Sequence, residues 1–192
     1  ANELVLSGTE KARARKSSTA ESLPSHTTAI AEPVQQGLGI TIAPTFDSLE
    51  SHYGAICSCQ LCPLGQTRNK FVYGVGNPKA RLMFIGEAPG AEEDRQGEPF
   101  VGRAGQLLTS MIRALGLRRE DVFIANLLKC RPPDNRDPKP SEAASCRGYL
   151  ERQVALVNPT LVIAVGRIAA QNLLATETPI AKLRGKVHSF GA

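Results

Sequence analysis

The sequence predicts an α/β fold, a parallel sheet covered by helices on both faces. Three observations carry that prediction. Three short apolar runs, "ARLMFIG" (80–86), "DVFIANLLK" (121–129) and "TLVIAVG" (160–166), each precede a stretch of helical character. Those helical stretches supply the crossovers that parallel strands require. Each strand also ends in glycine or polar chemistry, at Gly86-Glu87, Asn126 to Lys129 and Gly166-Arg167. In open sheets of this class, ligands sit at those carboxyl ends.

In chain order, "FDSLESHYGAI" (46–56) reads as a short helix leading into a cysteine pair. "GQLLTSMIRALGL" (105–117) places Leu107, Leu108, Met111, Ile112 and Leu115 on one helical face, with Gly116 as the stop. "PSEAASCRGYLERQVALV" (140–157) starts at Pro140 or Ser141 and turns Cys146, Tyr149, Leu150, Val154 and Val157 inward. "RIAAQNLL" (167–174) is the last helix. The globular domain therefore covers 46–192. Residues 1–45 differ: "EKARARKSSTAESLPSHTTAIAEP" is rich in Ser, Thr, Ala and Lys/Arg without a sustained apolar period. That composition predicts a disordered basic tail, either an inert extension or an arm that touches DNA or a partner.

The 192 residues allow one ordinary domain plus that tail, and 42% hydrophobic content is enough for a core. No apolar stretch approaches the roughly 18–20 residues that span a bilayer. The start of the sequence has no charged segment followed by an apolar one, so it does not read as a secretory signal. The expectation is a cytoplasmic protein without a membrane partner. A net charge of +5 and a pI near 9.1 suit a polyanionic partner, and equally a merely basic enzyme.

The cysteines number five: Cys57, Cys59, Cys62, Cys130 and Cys146. An odd count without a secretion signal argues against a disulfide framework. "CQLC" puts Cys59 and Cys62 close together; Cys130 ends the second strand and Cys146 lies on the next helix. Four thiolates gathered there suit tetrahedral zinc or an iron–sulfur cluster, and spacing alone does not choose. Cys130 and Cys146 could equally be buried apolar thiols.

The stretch "GEAPGAEEDRQGEPFVGRAG" (86–105) leaves the first strand with two glycine-rich turns, five carboxylates and one aromatic. That is the composition of a site rather than of a connector. Taken with "CQLCPLGQTRNKFVYGVGNP", "ANLLKCRPPDNRDPKPSE" and "LVIAVGRIAAQNLL…TPIAKLRGKVH", it resembles the family 4 uracil-DNA glycosylases, in order, from about residue 50 to 192.

The resemblance implies a three-layer α/β/α fold around a parallel four-stranded sheet. It implies a [4Fe–4S] cluster on Cys59, Cys62, Cys130 and Cys146, leaving Cys57 as the extra, with a structural role. It implies hydrolysis of the N-glycosidic bond of uracil in single- or double-stranded DNA by a monomer. Such a base must be flipped out of the stack. The pocket then needs donors at the leaving base, a carboxylate near the sugar and a placed water.

Backbone turns around Glu87, Ala88 and Gly90 can aim amides at the uracil carbonyls. Phe100 matches the aromatic on which the base stacks, and Asn126 can pair with O4 and N3–H. Without the resemblance, Phe100 reads equally as core packing and Asn126 as a loop cap. Where related families carry an Asp, this chain has Ala88, so Glu87 is expected to orient the water with Glu93 as a second functional acid. Asn135 matches a family position near the site. DNA-backbone contacts are expected from Arg103, Arg184 and Lys186, with Arg95, Gly102, Arg131 and Lys182 in the same loops.

The family continues with a further strand and a His-Pro loop whose His faces uracil O2. The sequence stops at "KVHSFGA", and His188 does not match that position. The expectation is a C-terminally incomplete domain lacking the last strand and helix, with weak or no excision. The competing readings are a catalytically silent nucleic-acid-binding fragment of the same fold and a zinc-stabilised α/β hydrolase of another kind.

Overall fold

The computed structural model describes residues 46–189. The expected 1–45 tail lies outside the described residues. Four strands form one sheet: β1 Val75–Gly76, β2 Leu82–Gly86, β3 Phe123–Asn126 and β4 Leu161–Ala164. Their order is β1-β3-β2-β4. β2 lies between β3 and β4 and pairs with both in parallel, as the sequence predicts. β1 was not expected. It pairs antiparallel to β3, so the sheet is mixed rather than wholly parallel. Two residues, one of them glycine, carry no period that could announce a strand. Gly76 is needed there: at φ 126° a Cβ would sit 1.9 Å from the Val122 carbonyl oxygen.

Alternation along the strands builds two cores. Met83, Ile85, Phe123, Ala125 and Val162 face one, together with Leu150, Val154 and Val157 of the helix α5 at Pro140–Val157. Phe84 and Ile124 face the other, with Leu108 and Ile112 of the helix α4 at Arg103–Ala114. Helices on both faces of a period-2 sheet are the three layers expected.

The remaining helices in chain order are α1 Leu49–Ile56, α2 Leu64–Thr67, α3 Ala91–Gln96, α6 Arg167–Leu173 and α7 Ile180–Leu183. α1 begins at Leu49 rather than Phe46 because Ser48 and Ser51 cap it reciprocally. α4 begins at Arg103, two residues before the expected Gly105, with Gly102 at its cap.

The α4 face needs correction. Leu108 and Ile112 are buried, whereas Leu107, Met111 and Leu115 are 65%, 55% and 59% exposed. The apolar stripe is wider than the strip of helix the sheet can cover, and half of it faces outward. On α5, Cys146, Leu150, Val154 and Val157 are buried as expected, with Tyr149 half-buried.

The second strand also ends sooner than expected. Beyond Asn126 the amides of Leu127 and Leu128 bond the Gly86 and Glu87 carbonyls, where β2 itself ends. With no straight partner left, residues 127–130 fold inward and are all at most 3% exposed.

Candidate functional site

β2 and β3 end side by side, with Gly86 registered against Asn126. A Cβ built on Gly86 would meet Phe100 Cζ at 2.4 Å and Asn126 Oδ1 at 2.5 Å. The bare α-carbon of Gly86 therefore forms the floor between an aromatic edge and an amide. Asn126 is 2% exposed, and its Oδ1 has no hydrogen-bond partner among the described residues. A buried acceptor left open costs stability unless something else fills it. It is an open acceptor beside the Phe100 edge.

The two acids of this stretch differ sharply. Glu93 is saturated by backbone: its Oε1 accepts from the Val101 and Gly102 amides at 2.9 and 2.8 Å. Its Oε2 accepts from the Gly90 amide at 3.1 Å. Glu93 thus staples the loop that carries Phe100 to the start of α3, and the Gly90 amide is committed to it. No hydrogen bond among the described residues uses the Ala88 amide. Glu87 has no hydrogen bond to its carboxylate among them either. Burial raises its pKa, nearby Asp137 raises it further, and Arg167 opposes both. Asp137 and Arg167 pair at 2.7 Å.

Asn135 and Asp134 stand in left-handed conformations in the loop after Cys130, at φ 53° and 55°. Asn135 accepts from Arg131 Nε at 2.8 Å, and it is exposed. Arg103 is exposed at the first position of α4. Arg184 and Lys186 lie together on a different element, lining an apolar cavity of about 390 Å³ along β4 with His188. His188 Nε2 sits 3.0 Å from the Leu183 carbonyl oxygen.

The thiols occupy the other flank of the same strand end. Cys130 and Cys146 are buried, and the half-buried Cys57, Cys59 and Cys62 pack against the same core. Burial pushes the Cys130 thiol up to about 11, and the negative charges possible on Cys146 and Cys62 add to that. Cys146 is raised likewise, with Cys62 and Cys59 contributing. Among the described residues, no three ligating side chains stand at metal-binding spacing.

Two cations serve this flank, and sequence reasoning missed both. Arg68 donates to Cys130 Sγ at 3.3 Å and to the Cys59 and Cys57 carbonyls at 2.7 and 3.1 Å. Lys129 is wholly buried, donating to the Asn126 carbonyl at 2.7 Å and to Gln153 Oε1 at 2.5 Å. Burial draws its pKa down to about 7, against the pull of Cys146 and Cys130. Thiols that meet the half-buried Arg68 guanidinium, with the Lys129 amine behind them, fit a group that carries net negative charge once thiolates bind it. No local period marks Arg68 or Lys129, so the sequence offered no signal for either.

A profile of the uracil DNA glycosylase superfamily matches residues 73–190. The type-4 uracil-DNA glycosylase of Archaeoglobus fulgidus is 51% identical over 146 residues, covering 74% of this chain and 73% of that one. That of Sulfurisphaera tokodaii is 47% identical over 73% of this chain and 66% of its own. The type-5 uracil-DNA glycosylase of Thermus thermophilus is 31% identical over 66% of this chain and 72% of its own. The chain belongs to the uracil DNA glycosylase superfamily and stands with its type-4 members.

Proposed function

We propose that this member of the superfamily hydrolyses the N-glycosidic bond of uracil in DNA and leaves an abasic site, as a step in DNA repair. The observation that carries the reading is the buried, partnerless Oδ1 of Asn126 facing the Phe100 edge across bare Gly86. A flipped uracil stacks on Phe100 and donates N3–H to that oxygen, while the Asn126 amide donates to O4. Cytosine has no hydrogen at N3 and an amino group at C4, so both contacts turn repulsive. Such a mismatch at buried polar groups discriminates strongly.

The bond from C1′ to N1 breaks with its electrons going to the base, where Asn126 and the open Ala88 amide take up the developing charge. Water adds to C1′. Glu87 orients that water and accepts its proton, a role its raised pKa suits. Glu93 serves the reaction by holding the Phe100 loop. Asn135 and the exposed Arg103, Arg184 and Lys186 contact DNA, and binding weakens steeply with salt.

Cys59, Cys62, Cys130 and Cys146 would hold a [4Fe–4S] cluster. When bound, that group ties the 57–62 loop to the end of β3, a structural rather than redox contribution.

The test is abasic-site formation on uracil-containing single-stranded DNA, with Asn126→Ala beside it. Excision that falls on the order of 10²–10³-fold in the variant supports the reading. Equal rates would remove Asn126 from it. Binding of uracil-containing DNA without an abasic product would make the chain a silent binding module.

A further inference from the structure

Phe100 has a left-handed backbone at φ 55°, a conformation that a non-glycine residue keeps only when its surroundings impose it. Three groups impose it here. Glu93 grips the amides of the next two residues, Val101 and Gly102. The first turn of α4 closes on the Phe100 carbonyl so tightly that a Cβ on Gly105 would lie 1.8 Å from its oxygen. The third is Arg119, in the turn that precedes β3.

Arg119 is half-buried, and its guanidinium points back at the pocket loop. Nη1 donates to the Phe100 carbonyl at 3.1 Å and Nη2 to the Pro99 carbonyl at 2.9 Å. Nη1 also reaches Thr109 Oγ1 at 3.2 Å, and that hydroxyl donates to the Gly105 carbonyl at 2.9 Å. The planar fork thus bridges two consecutive carbonyls and the first turns of α4, a geometry that lysine's point charge does not reproduce. Among the described residues Arg119 makes no hydrogen bond to a carboxylate.

We propose that Arg119 is a positioning residue for the base pocket: by holding the carbonyls of Pro99 and Phe100 it keeps the Phe100 ring opposite Asn126. The inference rests on the stacking role given to Phe100 above. Without Arg119 the 99–101 backbone relaxes toward ordinary negative φ, the ring leaves its place, and the flipped base loses its platform. Arg119 itself touches neither base nor sugar.

The experiment is a double-mutant cycle in the full chain. Arg119→Gln and Phe100→Ala are made singly and together, with Arg119→Lys as the conservative variant. Iron content and thermal unfolding verify each fold. The readouts are single-turnover uracil excision and the affinity ratio between two oligonucleotides. One carries 2′-fluoro-2′-deoxyuridine, whose glycosidic bond resists hydrolysis, and the other carries thymidine at the same place.

Arg119→Gln should lower both readouts by about tenfold, Arg119→Lys by less, and Arg119→Gln should add nothing once Phe100 is Ala. If Arg119→Gln fails to fold, the same cycle is run with Arg119→Lys. Losses that simply add across the cycle, or no loss from Arg119→Gln alone, overturn the proposal. If Phe100→Ala alone changes neither readout, the stacking role falls and the positioning role falls with it, a result distinct from failure of the Arg119 contact.

Discussion

The two flanks of the β3 end are held in opposite ways. On the Phe100 side, loop 97–102 is fixed by the Val101 and Gly102 amides on Glu93, the Pro99 and Phe100 carbonyls on Arg119, and α4 closing on Phe100. On the thiol side, the 57–62 loop meets Cys130 through the single guanidinium of Arg68, which donates to the Cys57 and Cys59 carbonyls and to Cys130 Sγ. One flank is held by a carboxylate and a guanidinium on its backbone amides and carbonyls. The other gathers thiols around the end of β3, bridged by one cation. A pocket that must present an open acceptor has to be rigid beforehand, whereas a structural group can finish its own seat as it binds.

The strongest challenge to that contrast is Cys146→Ser. Iron and sulfide should fall from about four of each per chain to nearly none. Amide-exchange protection should drop across 57–68 and stay unchanged at Val101 and Gly102. A loss that spreads equally to both segments would merge the two flanks into one unit.

Glu93→Gln attacks the other side and should leave the iron content alone. Replacing the charged acceptor of three amides should cost about 2–3 kcal/mol of stability in chemical unfolding. It should also release exchange protection at 101–102.

Acid separates the flanks a third way. His52 is 1% exposed, bonded through Nδ1 to the Tyr73 hydroxyl at 2.9 Å, and burial with nearby Lys129 and Arg152 lowers its pKa to about 4. The unfolded chain therefore takes up this proton first. Stability is complete above about 6.5 and declines as pH falls toward 4, by about 3 kcal/mol. His52→Phe should flatten that slope in pH-dependent denaturation curves.

The smallest effect is a displacement of the pH–rate profile, set by Glu87. Burial and nearby Asp137 raise its pKa, which should move the acid limb of excision upward, and Glu87→Gln should remove that limb along with most of the rate.

Much of this was legible beforehand, for identifiable reasons. Strand ends are where an α/β sheet places ligands, so Gly86, Glu87 and Asn126 stood out by position, whereas the roles expected of Phe100 and Asn126 came from the family resemblance. That Glu93 is saturated by backbone amides while Glu87 is not was not legible. It depends on where the amides of Gly90, Val101 and Gly102, spread over twelve residues of chain, come to point. Leu107, Met111 and Leu115 misled because a periodic stripe says which residues share a face and not how much of it the sheet covers. Arg119 and Arg68 act across 19 and 62 residues on backbone carbonyls and a thiol, and no spacing rule announces such reach.

Lys129 ties Asn126 to the segment that ends in Cys130, and only three residues separate those two functional positions. That makes the stretch a ruler. A substitution at Leu127 or Leu128 changes a contact, but one residue gained or lost changes a length, and length is shared. Were Cys130 to keep its place, Asn126 would leave its register with Gly86; were Asn126 to keep its place, Cys130 would leave the other thiols. The stretch 126–130 is therefore fixed in its count.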